Sequence, residues 1–266
     1  MRSLLMLTVV LVACSPVSRE EAVPVLSLPA GTVVDLSHPY DESTVYWPTA
    51  DGFELEVDFK GLTDKGFYYA ANTFRTAEHG GTHIDAPIHF AEGRNTVDEI
   101  PLEQLMGQAV VIDVTDRCAD DPDYLVTVGD IEQWEAEHGA LPEGVIVLLQ
   151  TGYEKLWPER VSYLGTDERG EEAVAKLHFP GLDPEAARWL VANRSINAIG
   201  LDTASIDFGQ STHFESHQVL FAADIPAFEN LTNLHRLPAT GFVVIALPMK
   251  IAGGSGGPLR VAAIVP

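Results

Sequence analysis

Apolar positions along the chain follow two rhythms. Short apolar or alternating runs bounded by Gly, Pro, Asp and Asn predict strands at Thr32–Leu36, Phe53–Phe59, Phe67–Phe74, Ala109–Val114, Val145–Gln150, Asn197–Leu201, Phe242–Leu247 and Arg260–Val265. Val110-Val111-Ile112 and Val145-Ile146-Val147-Leu148-Leu149 have no polar interruption, as strands covered on both faces require. Two segments carry helical spacing with defined ends. Thr127 caps Val128–His138, with Asp130 at the third position and Gly139 as the stop. Asp183 followed by Pro184 opens a helix through Asn193, with Ala187, Leu190 and Val191 on one face. Many strands and few helices predict a mixed α/β domain built on a strongly curved sheet. No repeat or low-complexity block interrupts residues 31–266, so one domain is the simplest organisation.

The start of the chain has a different character. Arg2 precedes the apolar run Leu4–Leu11, and Leu11-Val12-Ala13-Cys14 follows. A basic residue, a short apolar stretch and a small residue describe a signal peptide over residues 1–13, because a bilayer span needs roughly 20 apolar residues. The same four residues resemble a bacterial lipobox, which would leave a lipidated Cys14 at the mature N-terminus; an ordinary secretory signal is the alternative. Both place the protein outside the cytoplasm, in the periplasm or anchored to a membrane. Residues 14–30, with Pro16, Pro24 and Pro29, read as a tether to the domain. Cys118 is the other cysteine of the chain and reads as a small structural residue, neither staple nor nucleophile.

Composition excludes more than it assigns. The chain has 266 residues, 46% of them hydrophobic, which supports a packed core and excludes a disordered tail. A formal net charge of −23 gives no general attraction to phosphate backbones, so nucleic acid is not an expected partner.

The candidate chemistry lies in His79-Gly80-Gly81-Thr82-His83-Ile84-Asp85-Ala86-Pro87-Ile88-His89-Phe90. Three imidazoles and a carboxylate within eleven residues form an N/O donor set suited to zinc or manganese. A helix cannot present them together, since Asp85 would fall about 240° around the axis from His79. In a regular strand His79 and His83 would stand about 13 Å apart, too far to share an ion. The chain must double back between them, and Gly80-Gly81 permits it. His83 and Asp85, about 6.6 Å apart along a strand, can converge directly.

These twelve residues resemble the signature of the bacterial cyclase family of metal-dependent hydrolases, which includes kynurenine formamidases and isatin hydrolases. The likeness extends to Val34-Asp35-Leu36-Ser37-His38-Pro39, Tyr46-Trp47-Pro48, Gly200-Leu201-Asp202-Thr203-Ala204-Ser205-Ile206-Asp207, Ala246–Ile251 and Gly253–Pro258. It implies an α/β swivelling β/β/α domain, a small barrel-like mixed sheet with flanking helices, assembled as a homodimer or homotetramer. It implies His79, His83 and Asp85 as ligands of a first divalent ion and His89 as a proton shuttle. A second ion, where present, would take a His and a Glu twelve residues apart. His217 and Glu229 have that spacing, with His213 a competing candidate. Gly253–Gly257 is expected as a loop at the mouth of the site.

An ion with three protein ligands keeps an open position, where water ionises near pH 7 and attacks a carbonyl. An aniline nitrogen leaves poorly as an anion, and His89 has the pKa range to protonate it. The resemblance therefore implies a metal-dependent amidohydrolase acting on a small molecule. An aryl formamide such as N-formylkynurenine, a tryptophan catabolite, comes first, and isatin or another cyclic amide or lactone second. Trp47, Phe53, Phe67 and Tyr68 fall in segments expected to cover the pocket, where they would stack on an aryl substrate or serve as core. Arg75 and Lys250 are candidates to clamp a carboxylate. A lipid-anchored metal- or solute-binding protein is the alternative class.

Overall fold

All eight predicted runs are strands in the computed structural model, which describes residues 31–266. Residues 1–30, with the signal, Cys14 and the tether expected there, lie outside the described residues. The strands are β1 (Thr32–Asp35), β2 (Glu54–Leu62), β3 (Tyr68–Arg75), β4 (His83–Asp85), β5 (Met106–Asp113), β6 (Leu125–Val126), β7 (Val145–Gln150), β8 (Gly181–Leu182), β9 (Ile196–Leu201), β10 (Ala227–Glu229), β11 (Phe242–Pro248) and β12 (Gly256–Val265). Eight make one sheet in the order β1-β12-β11-β5-β7-β9-β10-β4. Strand β4 returns to pair with β12, which closes seven strands into a small mixed barrel. Strands β5, β7, β9 and β10 are parallel neighbours, and the remaining pairings of this sheet are antiparallel. This is the barrel-like α/β architecture the sequence implied.

Alternate residues of the central strands enter two cores. Val111, Ile146, Leu148, Val244 and Val261 fill the barrel. Val110, Ile112, Val147, Leu149 and Ile199 point outward and are covered by Ile131, Trp134, Leu190 and Leu220 from helices Val128–His138, Pro184–Asn193 and Glu215–Ala222. Two covered faces explain why Val110–Ile112 of β5 and Val145–Leu149 of β7 show no polar interruption. The helix ends follow the sequence closely. Thr127 accepts from the Asp130 backbone while the Asp130 carboxylate accepts from that of Thr127, and Asp183 accepts from the Glu185 backbone. Cys118 is buried in the outer core, where burial pushes its thiol up to about 12. No described helix is long and apolar enough to cross a membrane.

Strand β12 begins at Gly256, four residues before the predicted start. Only Gly253, Gly254 and Ser255 of the expected mouth loop lie outside a strand. A Cβ on Gly256 would stand 2.5 Å from the Ile84 carbonyl oxygen and 2.6 Å from a His79 ring carbon, so glycine here permits strand pairing.

His38 stacks on Trp157 with ring centroids 4.1 Å apart. Burial, opposed weakly by the Asp35 charge, pushes its pKa down to about 4. Between that value and the unfolded value of about 6.5 the unfolded chain binds a proton that the native chain refuses. Stability is therefore full above the unfolded pKa and is lost as pH falls toward the native one. We expect the thermal midpoint, followed by circular dichroism, to drop more from about pH 7 to about pH 5 in the wild type than in His38→Phe, which keeps the stack without titrating. Equal drops would remove His38 as the cause.

Candidate metal centre

Two of the four strands that sequence patterning missed, β4 and β10, carry the site. His83 and Asp85 stand on β4, and Glu229 ends β10 directly across from His83 in the antiparallel register. The pleat puts all three on one face. His217 arrives from the first turn of the helix Glu215–Ala222, and His79 lies on the approach to β4. The chain doubles back where expected: Gly81 has φ +59°, and the Tyr46 ring occupies the space a Cβ on Gly80 would need.

Asp85 sits in the middle of the donors. Its Oδ1 lies 2.7 Å from His79 Nδ1 and 3.1 Å from His83 Nε2, and its Oδ2 lies 3.2 Å from His217 Nε2. Glu229 stands 3.4 Å from His83 Nε2 and 3.3 Å from His217 Nε2, while the Ile206 backbone N–H donates to it. Donor atoms about 2.1 Å from one ion at tetrahedral angles lie roughly 3.4 Å from each other. The spacing matches.

Each imidazole is anchored by its outer nitrogen. His83 Nδ1 is 2.9 Å from the Gly81 carbonyl, and His217 Nδ1 is 2.6 Å from Asp207 Oδ2. Ser255 donates to Glu78, so its Oγ accepts from His79 Nε2 at 2.8 Å. These partners assign the N–H to the outer nitrogen in all three rings and leave an inner lone pair facing carboxylate oxygens. His83 Nε2 is buried with no hydrogen-bond partner. Lone pairs and carboxylates held this close fit a divalent cation.

The electrostatics point the same way. Burial favours neutral forms throughout, yet Asp85 is held well below the usual carboxylate range by the positive charge that His79, His217 and His83 would supply if protonated in place of a cation. Burial and the Asp85 charge raise Glu229. The nearby carboxylates overcome burial to raise His83, and the bonds to Asp207, Asp85 and Glu229 lift His217 well above the ordinary histidine value. The centre attracts positive charge.

His89 occupies the short turn Pro87–His89 and stacks on His79 with centroids 3.8 Å apart. Burial pushes it down to about 4, against the pull of Asp85, so the ring is neutral at pH 7. A nitrogen of His89 also lies within 4.8 Å of donor atoms of His79 and Asp85. A cavity of about 310 Å³ opens over these groups and is walled by Tyr46, Trp47, Phe90 and Phe214.

The structure thus joins His79, His83, Asp85, His89, His217 and Glu229 at one cavity and leaves His213 exposed outside it. The aromatic expectations divide. Trp47 lines the cavity, packed edge-on against Phe179 and Phe214. Phe53 does not; it stacks on Phe74 and tilts against Tyr40. Phe67 and Tyr68 project from the β2–β3 hairpin into solvent, because that hairpin extends from the barrel instead of folding onto its mouth. Arg75 pairs with Asp51, and neither it nor Lys250 lines the cavity. Sequence reasoning assigned no role to Asp207, Glu78 or Ser255. All three stand in quoted or adjacent motif residues, but only the fold shows that Asp207 and Ser255 each touch an imidazole and that Glu78 holds Ser255.

A closed α/β barrel with this donor cluster under an apolar cavity defines a metal-dependent hydrolase in class. A family model described as "Putative cyclase" matches residues 34–208. The chain belongs to this cyclase family. It is 34% identical to the isatin hydrolase of Roseibium aggregatum, over 85% of this chain and 91% of that protein. The kynurenine formamidase of Salinibacter ruber is 26% identical, over 86% of this chain and 95% of that protein. The solved structure of isatin hydrolase A from Labrenzia aggregata, bound to benzyl benzoate, superimposes with a TM-score of 0.79 at 35% identity, covering 88% of this chain and 93% of that one.

Proposed function

We propose that the protein hydrolyses the bond between a carbonyl carbon and an aryl nitrogen in a small, flat, uncharged molecule. One or two divalent ions, zinc or manganese, would be held by His79, His83, Asp85, His217 and Glu229, with Asp85 shared. The observation that carries this reading is the set of three imidazoles anchored outside, whose inner lone pairs converge on two carboxylates. A bound ion supplies Lewis acidity and lowers the pKa of coordinated water from 15.7 toward 7. The chain supplies the rest. Asp207, Gly81 and the Ser255–Glu78 pair fix the imidazole tautomers. Trp47, Phe90 and Phe214 exclude water and offer ring faces to an aryl group. Neutral His89 takes, at a ring nitrogen, the proton the attacking water gives up, and passes it to the aniline nitrogen as the carbon–nitrogen bond breaks.

The cavity wall bears on the substrate. No Lys or Arg among the described residues lines it. N-formylkynurenine carries a charged amino-acid arm that calls for polar partners, whereas isatin calls for an apolar slot. The open formamide led on sequence grounds; the wall supports the cyclic lactam ahead of it. Side-by-side kcat/KM on the metal-loaded protein tests this. A preference for isatin above about 10²-fold corresponds to about 2.7 kcal/mol of transition-state discrimination. The same preference for N-formylkynurenine would reverse the order. Background rates on both would overturn the aryl-amide reading.

A further inference from the structure

Asn230 is a buried amide in a backbone conformation that glycine takes more easily. It follows Glu229 at the end of β10, is 2% exposed and has φ +54°. A side chain in that left-handed region carries a steric cost, smallest for Asn and Asp. An Asn held there directs attention to what its amide does.

Both ends of that amide are engaged. Tyr163, from the helix Arg160–Leu164, donates its hydroxyl to Asn230 Oδ1 at 2.7 Å. Asn230 Nδ2 donates to the Gly81 carbonyl at 2.8 Å. Turning the amide over would set Oδ1 against that carbonyl oxygen, so the partners fix which atom is nitrogen. The backbone is tied as well. The Asn230 N–H donates to the Thr203 carbonyl at 2.9 Å, and the Asn230 carbonyl accepts from Thr82 Oγ1 at 2.7 Å.

The Gly81 carbonyl is the group that accepts from His83 Nδ1, at 2.9 Å. Its two lone pairs are divided between an imidazole of the metal cluster and the Asn230 amide. The local sequence determines that peptide weakly, because Gly81 at φ +59° has many conformations open to it. The rest of the turn is held elsewhere. The Tyr40 hydroxyl lies 2.8 Å from the Gly80 carbonyl and 2.6 Å from that of Thr82, and the Gly81 N–H donates to Val45 at 2.9 Å. If the Gly81 carbonyl turned away, His83 would lose its acceptor and be free to rotate or change tautomer. Its Nε2 lone pair would then no longer face Asp85 and Glu229.

The geometry points to Asn230 as a positioning residue, an assignment that rests on the metal centre proposed above. Through the Gly81 carbonyl it fixes the tautomer and aim of His83, and so sets the affinity of the cluster for a divalent ion. One side chain thereby joins the end of β10, which carries Glu229, to the reversal before β4, which carries His83 and Asp85.

Zinc and manganese affinity, measured on the full chain by competition with a chromophoric chelator, tests this role. Asn230→Gly deletes the amide and leaves a residue that adopts φ +54° without strain, so the fold should persist. The dissociation constant for the ion that the wild type holds more tightly should rise by about 10- to 100-fold, the range for loss of a group that orients a metal ligand. The visible spectrum of the cobalt(II)-loaded protein should change too, since its bands follow ligand geometry. A merely structural role would lower the thermal midpoint of metal-free protein and leave both metal readouts untouched. Wild-type affinity with an unchanged cobalt spectrum in folded Asn230→Gly would overturn the assignment. Should that variant not fold, Tyr163→Phe takes its place, because it frees the Oδ1 end and leaves the backbone alone. It should weaken metal binding by about 10-fold, and wild-type affinity there would overturn the assignment equally. A wild type that binds no divalent ion would overturn the metal reading and this one together. Tight wild-type binding beside an unaffected variant would overturn this one alone.

Discussion

His83→Ala is expected to purify without its full metal complement and to lose kcat/KM by about 10⁴-fold or more. The magnitude follows from what the ion supplies, since water in an empty site keeps a pKa far above 7. His83 Nε2 faces both Asp85 and Glu229, so its removal leaves two buried carboxylates at 3% and 4% side-chain exposure without the imidazole between them. Asp85 and Glu229 then repel across a dry site, and the remaining His79 and His217 cannot restore the donor count. Elemental analysis beside activity separates this from simple unfolding. A His83→Ala protein with full metal and normal turnover would show that the cluster is not the ligand set.

His89→Ala should behave differently. Its ring lies against His79 but makes no hydrogen bond to Asp85 or Glu229, and the other donors are anchored without it. Metal content should stay at the wild-type level while kcat falls by about 10²- to 10⁴-fold, the range for loss of a positioned proton-transfer group. An amide whose leaving group is a better anion should suffer less, because it needs less help from a proton donor. Loss of metal in His89→Ala would instead make His89 a ligand, which its reach toward His79 and Asp85 allows geometrically. Retained metal with unchanged kcat would remove it from the reaction.

Legibility in the sequence followed the physics of burial. Val145–Gln150 was visible to the residue because both faces pack on apolar cores. Strands β4 and β10 escaped because they are three residues long and spend alternate positions on His83, Asp85 and Glu229, so apolar alternation never develops. The donor motif itself was legible, including the reversal at Gly81, because ligand reach is a local distance constraint. The outer anchors were not. Asp207 reaches His217 from another segment, Ser255 lies 176 residues from His79, and Glu78 acts on His79 only through Ser255. Aromatic residues of the hairpin were misplaced for a related reason. Phe67 and Tyr68 have the composition of a pocket cover, but strand pairing carries them away from the mouth on a solvent-exposed ribbon.

The central claim is that the His/Asp/Glu cluster binds a divalent ion on which hydrolysis of an aryl amide or lactam depends. Metal content and turnover of isatin, measured on the same preparation before chelation, after it, and after readdition of zinc or manganese, test that claim most directly. The account predicts metal bound as purified, turnover lost in step with metal on chelation, and recovery with one of the two ions. Undiminished turnover in protein shown by elemental analysis to hold no metal would contradict it.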